Sequence, residues 1–299
     1  MDVAKEEAVP TTTEKRKMTS LKKLGCAAAI ALAAGAAQAD TIMNDWTFNP
    51  AGTGKANGQV INEYLDVNGN AFIQLTPTGG SSFSFTEHAV FNIAQADSNG
   101  TLFPVAFQGG NISATFEATG TGSFDGKFTF TSGTIRMYQN PTNGQYGGTE
   151  GYFGANLGNL IAEFNVLAGG GGVVDASGSP VNNGQVSIFA KAAKGALEPG
   201  YFFADKGIDM SKVMSTAFAS TNANTVGAPT ALLVSEVACG FAGFKGAGCN
   251  GTAYANAPGQ YFFVSNNGQF KFNDVPEPGS VALFGIALFG IGALRRRVK

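Results

Sequence analysis

The chain has 299 residues, 13% of them charged, and a formal net charge of −2. Between residues 40 and 278 it carries 17 Asp and Glu against 9 Lys and Arg, an excess of eight negative charges, and Arg136 is the only arginine there. Phosphate contacts need clustered Lys and Arg, so nucleic-acid binding is disfavoured, while an acidic surface suits an exported protein.

At the front, Lys22-Lys23 precede an apolar run from Leu24 to Ala37, and Ala37-Gln38-Ala39 offers small residues where signal peptidase reads them. This layout predicts a secretory signal helix within residues 1–39, cut between Ala39 and Asp40. Glu6, Glu7 and Glu14 put acids where a basic n-region belongs, whereas a start at Met18 gives a signal peptide of ordinary length. Residues 1–17 are therefore read as an extension upstream of the true start. Cys26 has Lys23 three residues before it, where a lipoprotein box has leucine, which argues against lipidation.

Residues 40–274 are rich in Gly, Asn, Thr, Ser and Phe, and their apolar residues alternate: Ile112, Ala114 and Phe116; Phe128 and Phe130; Ile135 and Met137; Val186 and Ile188; Phe270 and Phe272. Period two with β-branched and aromatic residues predicts half-buried strands. Asn68-Gly69, Asp125-Gly126 and Asn267-Gly268 each stand between two such runs and predict hairpin turns, because both turn positions need positive φ. The expectation is all-β, an antiparallel β-sandwich or jelly-roll-like domain over residues 40–274. Gly169 to Gly172 reads as a flexible break, either a sub-domain boundary or a long loop, and Asp209 to Ala219 as a single helix.

Catalytic chemistry has little to draw on. His88 is the only histidine and follows an alternating run, so it reads as a strand residue rather than a base. No Gly-x-Ser-x-Gly, His-Glu-x-x-His or P-loop pattern occurs. A glycosidase needs two carboxylates, and nothing local selects a pair. Asp66-Val-Asn68-Gly-Asn70 matches the first oxygen positions of an EF-hand, but Ala71 replaces the glycine and Pro77 the closing glutamate. The chain reads as a non-enzyme with no catalytic residue, metal ligand or cofactor assigned. Cys239 and Cys249 are an even pair bracketing a glycine-rich loop, and in an oxidising compartment they predict a disulfide.

The tail holds three ordered elements. Val275-Pro276-Glu277-Pro278 comes first, then an uncharged run from Val281 to Leu294, then Arg295-Arg296-Arg297. The run is about 21 Å long as a helix at 1.5 Å per residue, short of a bilayer core of about 30 Å. Gly279, Gly285, Gly290 and Gly292 weaken it further, and the arginines hold its end in the cytoplasm. A short C-terminal hydrophobic helix of this kind makes a marginal anchor. The arrangement of residues 275–299 resembles the PEP-CTERM sorting signal of Gram-negative bacteria. The resemblance implies export by way of signal peptidase, transient retention in the inner membrane, recognition of Pro276-Glu277-Pro278 by an exosortase, and delivery to the cell surface or extracellular matrix. A plain transmembrane anchor is the alternative.

Asp45-Trp46-Thr47-Phe48-Asn49-Pro50 and Ile61-Asn62-Glu63-Tyr64-Leu65-Asp66 resemble the opening of flocculation-associated PEP-CTERM proteins, which implies a role in holding cells to exopolysaccharide. Trp46, Phe48, Tyr64, Tyr138, Tyr146, Tyr152 and Tyr254 lie among Asn, Gln and Gly, a composition suited to stacking on carbohydrate. The function expected is a matrix protein contributing to biofilm or floc. Its rival is a secreted carbohydrate-active enzyme or a calcium-dependent lectin.

Overall fold

The computed structural model describes residues 42–98, 100–105, 111–141, 145–181 and 183–273. The signal segment with Ala39 and Asp40, and the whole tail from residue 274 onward, lie outside the described residues.

The described residues form strands β1 (Trp46–Phe48), β2 (Gln59–Ile61), β3 (Tyr64–Gly79), β4 (Ser82–Ser98), β5 (Thr101–Pro104), β6 (Asn111–Ser123), β7 (Lys127–Asn140), β8 (Asn159–Val166), β9 (Gly169–Val173), β10 (Gly184–Ala192), β11 (Phe202–Phe203), β12 (Ser215–Val226) and β13 (Tyr261–Phe272). The architecture is all-β and antiparallel, as the periodicity predicts. Strands β12, β13, β3, β4, β6, β7, β8 and β10 follow in that spatial order, and β10 pairs back onto β12. That last contact runs in register from Gly184↔Ala223 to Ala192↔Ser215. The two faces are therefore one sheet closed on itself. Strand β8 meets β10 only at Ala190↔Val166 and Lys191↔Asn165, and β9 fills the rest of the gap between β7 and β10. The glycine run read as a flexible break thus forms a strand. Gly169, Gly170 and Gly171 have positive φ, which lets the chain turn sharply into that gap.

A ring of eight staves leaves an interior only wide enough for side chains. Strand β10 alternates strictly, burying Val186, Ile188, Ala190 and Ala192. Three inward phenylalanines of β4 face glycine across the ladder. Phe83 pairs with Gly122, Phe85 with Gly120, and Phe91 with Gly69. A Cβ on Gly120 would overlap the Phe85 ring, and one on Gly122 the Phe83 ring. A second small sheet, ordered β11-β1-β2, packs its aromatics into the same core. Phe48 stacks on Phe202 at 5.1 Å and Trp46 meets Phe272 edge-on at 5.0 Å. Trp46 and Phe48 are completely buried, so neither can stack on carbohydrate.

Three sequence expectations give way. Asn68-Gly69 and Asn267-Gly268 are not turns but lie inside β3 and β13, directly opposite one another: Asn68 pairs with Asn267 and Gly69 with Asn266. The glycines serve close inward packing, which a dipeptide signal cannot distinguish from a turn. Only Asp125-Gly126 makes the expected hairpin, with Asp125 at φ 57° between β6 and β7. The helix expected from Asp209 is one 3₁₀ turn, Met210–Lys212, whose first turn is capped by the Asp209 carboxylate 3.0 Å from the Ser211 amide. Beyond it Ala217, Ala219, Thr221 and Ala223 point inward with period two, and the strand wins over alanine's helix propensity. The real helix was missed. It is α1 (Ala231–Leu233), continuing as a π-helical segment (Val234–Phe241). Its signals were Thr230 as N-cap, bonding the Leu233 amide at 3.2 Å, and the apolar spacing of Leu233, Val234, Val237 and Ala238.

One inward residue is an acid. Glu87 lies between Phe85 and Ala89 on β4 and is only 8% exposed, against a small cavity that also touches Thr221 and Asn266. Burial raises its pKa to about 7.

Two predictions follow from this packing. Gly120→Ala should cost about 1–3 kcal/mol, the usual penalty for overpacking a core. Gly227→Ala, where a Cβ meets nothing within 4 Å, should stay within about 0.5 kcal/mol of wild type. Urea midpoints of the two variants test the contrast. For Glu87, a folded pKa raised above the unfolded value means its favourable contribution is whole at about pH 4 and is lost as pH rises to about 7. Glu87→Gln should match wild type in stability at pH 4 and exceed it by about 3 kcal/mol at pH 8, read from urea unfolding at both pH values.

Candidate functional site

The outer wall of β3, β12 and β13 carries an unusual set of side chains. Outward positions along β3 are Asn68 and Asn70, along β12 Asn222 and Asn224, and along β13 Ser265 and Asn267. Register places them in two rows across the strands. Asn222, Asn267 and Asn68 form one row, and Asn224, Ser265 and Asn70 the other. With Asn183 and Tyr146 they line a cleft of about 440 Å³. Among the described residues no carboxylate, lysine or arginine lines it.

The rows differ in their hydrogen bonding. Asn224 is committed: its side-chain oxygen accepts the Asn183 amide at 2.7 Å and its backbone oxygen accepts Ser265 Oγ at 3.4 Å. Asn70 bonds the Tyr146 hydroxyl, partly offsetting the upward pKa shift that burial gives that group. The same hydroxyl donates to the Val90 carbonyl at 3.3 Å. In contrast, the carboxamides of Asn68, Asn222 and Asn267 make no hydrogen bond within the described residues.

One side of the cleft is held by a cap on the outside of the ring. Leu233, Val234, Val237 and Ala238 of the helix pack on Phe72, Val90 and Phe263 of the wall, and Tyr146, Tyr152 and Phe153 from the segment 145–158 join them. Cys239 and Cys249 form the expected disulfide, with Cα atoms 5.5 Å apart. It ties the helix end to a loop whose Tyr254 packs edge-on against Phe263 at 5.4 Å. Tyr152 stacks on Phe241 at 4.3 Å, so it belongs to the cap rather than to a free binding face. Tyr64, Tyr138 and Tyr254 are half-buried as well, and Tyr64 sits 5.4 Å from the Lys271 ammonium.

His88 also belongs to the cap, edge-on to Phe241 at 5.0 Å. Burial holds its pKa below the usual imidazole value, with nearby Glu117 opposing the shift. Arg136 binds Glu163 at 2.8 Å and Glu117 at 2.9 Å, occupying both carboxylates. Asp66 lies in β3, not in a cation loop, and among the described residues no group of three or more His, Cys, Asp and Glu is placed to hold a metal.

The ends of the domain lie together. Ile42 bridges to Asn273, and the Met43 amide bonds the Phe272 carbonyl at 2.8 Å. The first and last described residues of the domain therefore lie side by side. The tail itself is decided by comparison: the family model described as the PEP-CTERM protein-sorting motif matches residues 274–297. The chain carries a PEP-CTERM sorting tail. The match takes in Val275, Pro276, Glu277 and Pro278, the run from Val281 to Leu294, and Arg295 to Arg297. This motif is the recognition signal of exosortase, and it marks the chain for export toward the cell surface. No curated protein and no solved structure matches the chain. No helix among the described residues is long and apolar enough to cross a membrane.

The asparagines were the residues that sequence reasoning missed as a set. Asparagine is depleted in strands, so its recurrence at alternate positions, 68 and 70, then 222 and 224, was the available signal.

Replacing Cys239 and Cys249 by serine should lower stability by about 2–3 kcal/mol, the loop-closure value for a bridge of this span. The loss should concentrate in the cap. Hydrogen exchange should rise across residues 231–254 while β6 and β7 keep their protection, and non-reducing peptide mapping of the wild type should recover one cross-linked peptide.

Proposed function

We propose that the protein is an exported matrix component, processed by an exosortase and contributing to biofilm or floc by associating with exopolysaccharide. The observation that carries the reading is the sorting motif at residues 274–297, joined to a β domain whose two ends emerge side by side. The architecture supports a structural rather than an enzymatic role. The asparagine-lined cleft carries no carboxylate among the described residues, whereas glycoside hydrolysis uses a pair of them. On the outer wall Arg136 pairs with both Glu117 and Glu163.

The reading is tested by fractionating the producing strain with and without its exosortase. Wild-type protein should be found in the matrix lacking residues 281–294, and Glu277→Ala should leave full-length precursor in the membrane with the β domain folded. Matrix protein that still carries Arg295 to Arg297 would show a plain anchor instead. Loss of matrix cohesion on deleting the chain, restored by the wild type and not by Glu277→Ala, is the expected phenotype.

A further inference from the structure

We propose that the asparagine cleft is a binding site for an uncharged polysaccharide segment laid across β12, β13 and β3. The inference rests on the matrix reading and specifies where, and to what class of glycan, the protein binds.

Four observations converge on it. The first is the state of the front row. Among the described residues the carboxamides of Asn68, Asn222 and Asn267 have no partner, while the row behind them is bonded to Asn183 and Tyr146 and, through Ser265, within itself. A back row that is bonded and a front row that is not is the arrangement of a rigid wall with available recognition groups. The second is chemistry. Each carboxamide offers two donors and an acceptor, and a sugar hydroxyl both donates and accepts, so one asparagine can engage two neighbouring hydroxyls. The third is spacing. The three asparagines sit on adjacent strands in direct register, about 4.8 Å apart in the hydrogen-bonding direction. That step is comparable with one ring of an extended pyranose chain, so successive amides can meet successive sugars. The fourth is charge. No ionic side chain among the described residues lines the cleft, and residues 40–278 carry an excess of acids. An anionic glycan would find no cation there to pair with and a repelling field around it. A neutral chain meets neither obstacle.

The volume, about 440 Å³, lies in the range of small-molecule sites. Tyr146 supplies a fixed flank, because its hydroxyl is tied to Val90 and its ring packs edge-on against Phe153 at 5.5 Å. The contacts are few and neutral, so affinity per segment is modest. Repetition along the polymer, with many protein copies on one chain, provides the retention.

The test uses the full chain expressed in the producing strain and purified as the host processes it. The probes are the strain's own exopolysaccharide, separated by anion exchange into neutral and acidic fractions. Affinity electrophoresis should show wild type retarded by the neutral fraction. The triple variant Asn68→Ala, Asn222→Ala, Asn267→Ala should lose at least tenfold in affinity with an unchanged urea midpoint. Should the triple variant misfold, Asn222→Ala and Asn267→Asp, both at exposed positions, carry the test, each expected to weaken binding at least threefold. Full binding by folded cleft variants would overturn the cleft while leaving the matrix reading intact. Retardation by the acidic fraction alone would overturn the neutral class. Wild type that binds neither fraction would overturn the cleft and the exopolysaccharide reading together.

Discussion

Pairing of β10 with β12 closes the ring, and the rest of the domain depends on that seam. An open sheet of this length would present a row of unpaired amides and carbonyls, a template for association with other copies. Closure removes that edge but imposes a cost of its own: the interior must then be filled to high density from every stave at once. The chain meets that demand with a simple complementarity. Phenylalanines on β4 lie over glycines on β3 and β6, so bulk on one strand occupies the space its neighbour leaves. The small sheet adds Trp46, Phe48 and Phe202 to the same core. The seam thus converts an aggregation-prone surface into a filled interior.

Closure also governs what the outside can do. Alternation assigns every second residue to the core, so the remaining residues of β3, β12 and β13 form a surface whose geometry is fixed by the ladder. Asn68, Asn222 and Asn267 inherit their spacing from backbone hydrogen bonds rather than from a loop. The disulfide-bonded cap stiffens the side of the cleft on which Tyr146 stands. Glu87 puts a carboxylate at an inward position, beside the polar Thr221 and Asn266. Burial favours its protonated form, so its own contribution to stability is lost as pH rises to about 7.

Much of this was legible in the chain, and the failures share a cause. Strand identity followed from period two in Ile112, Ala114 and Phe116 or Val186 and Ile188, because burial on one face writes itself directly into the sequence. The disulfide and the tail followed from ordered local features. Asn68-Gly69 and Asn267-Gly268 misled because turn chemistry and close packing both select glycine, and only the neighbouring strand distinguishes them. Asp209 to Ala219 misled for a related reason: alanine fits a helix by propensity and a crowded barrel wall by size. Trp46 and Phe48 looked available to ligand because their polar sequence neighbours are not their spatial neighbours. The cleft was invisible for the same reason, since its asparagines are up to about 200 residues apart and meet only through strand register.

The division between tail and domain explains why the two parts of the chain speak so differently. A sorting signal is read as a short linear segment by an enzyme in the membrane, so its meaning survives in sequence order alone. A surface that grips a repetitive polymer is read as a pattern in space, and many sequences can present it. In the proposed role neutral amides suit an acidic exported protein: net negative charge keeps copies apart, while uncharged donors and acceptors would let them hold a common uncharged chain. Cohesion would then come from many weak contacts on a polymer rather than from contacts between protein edges, which the closed ring withholds.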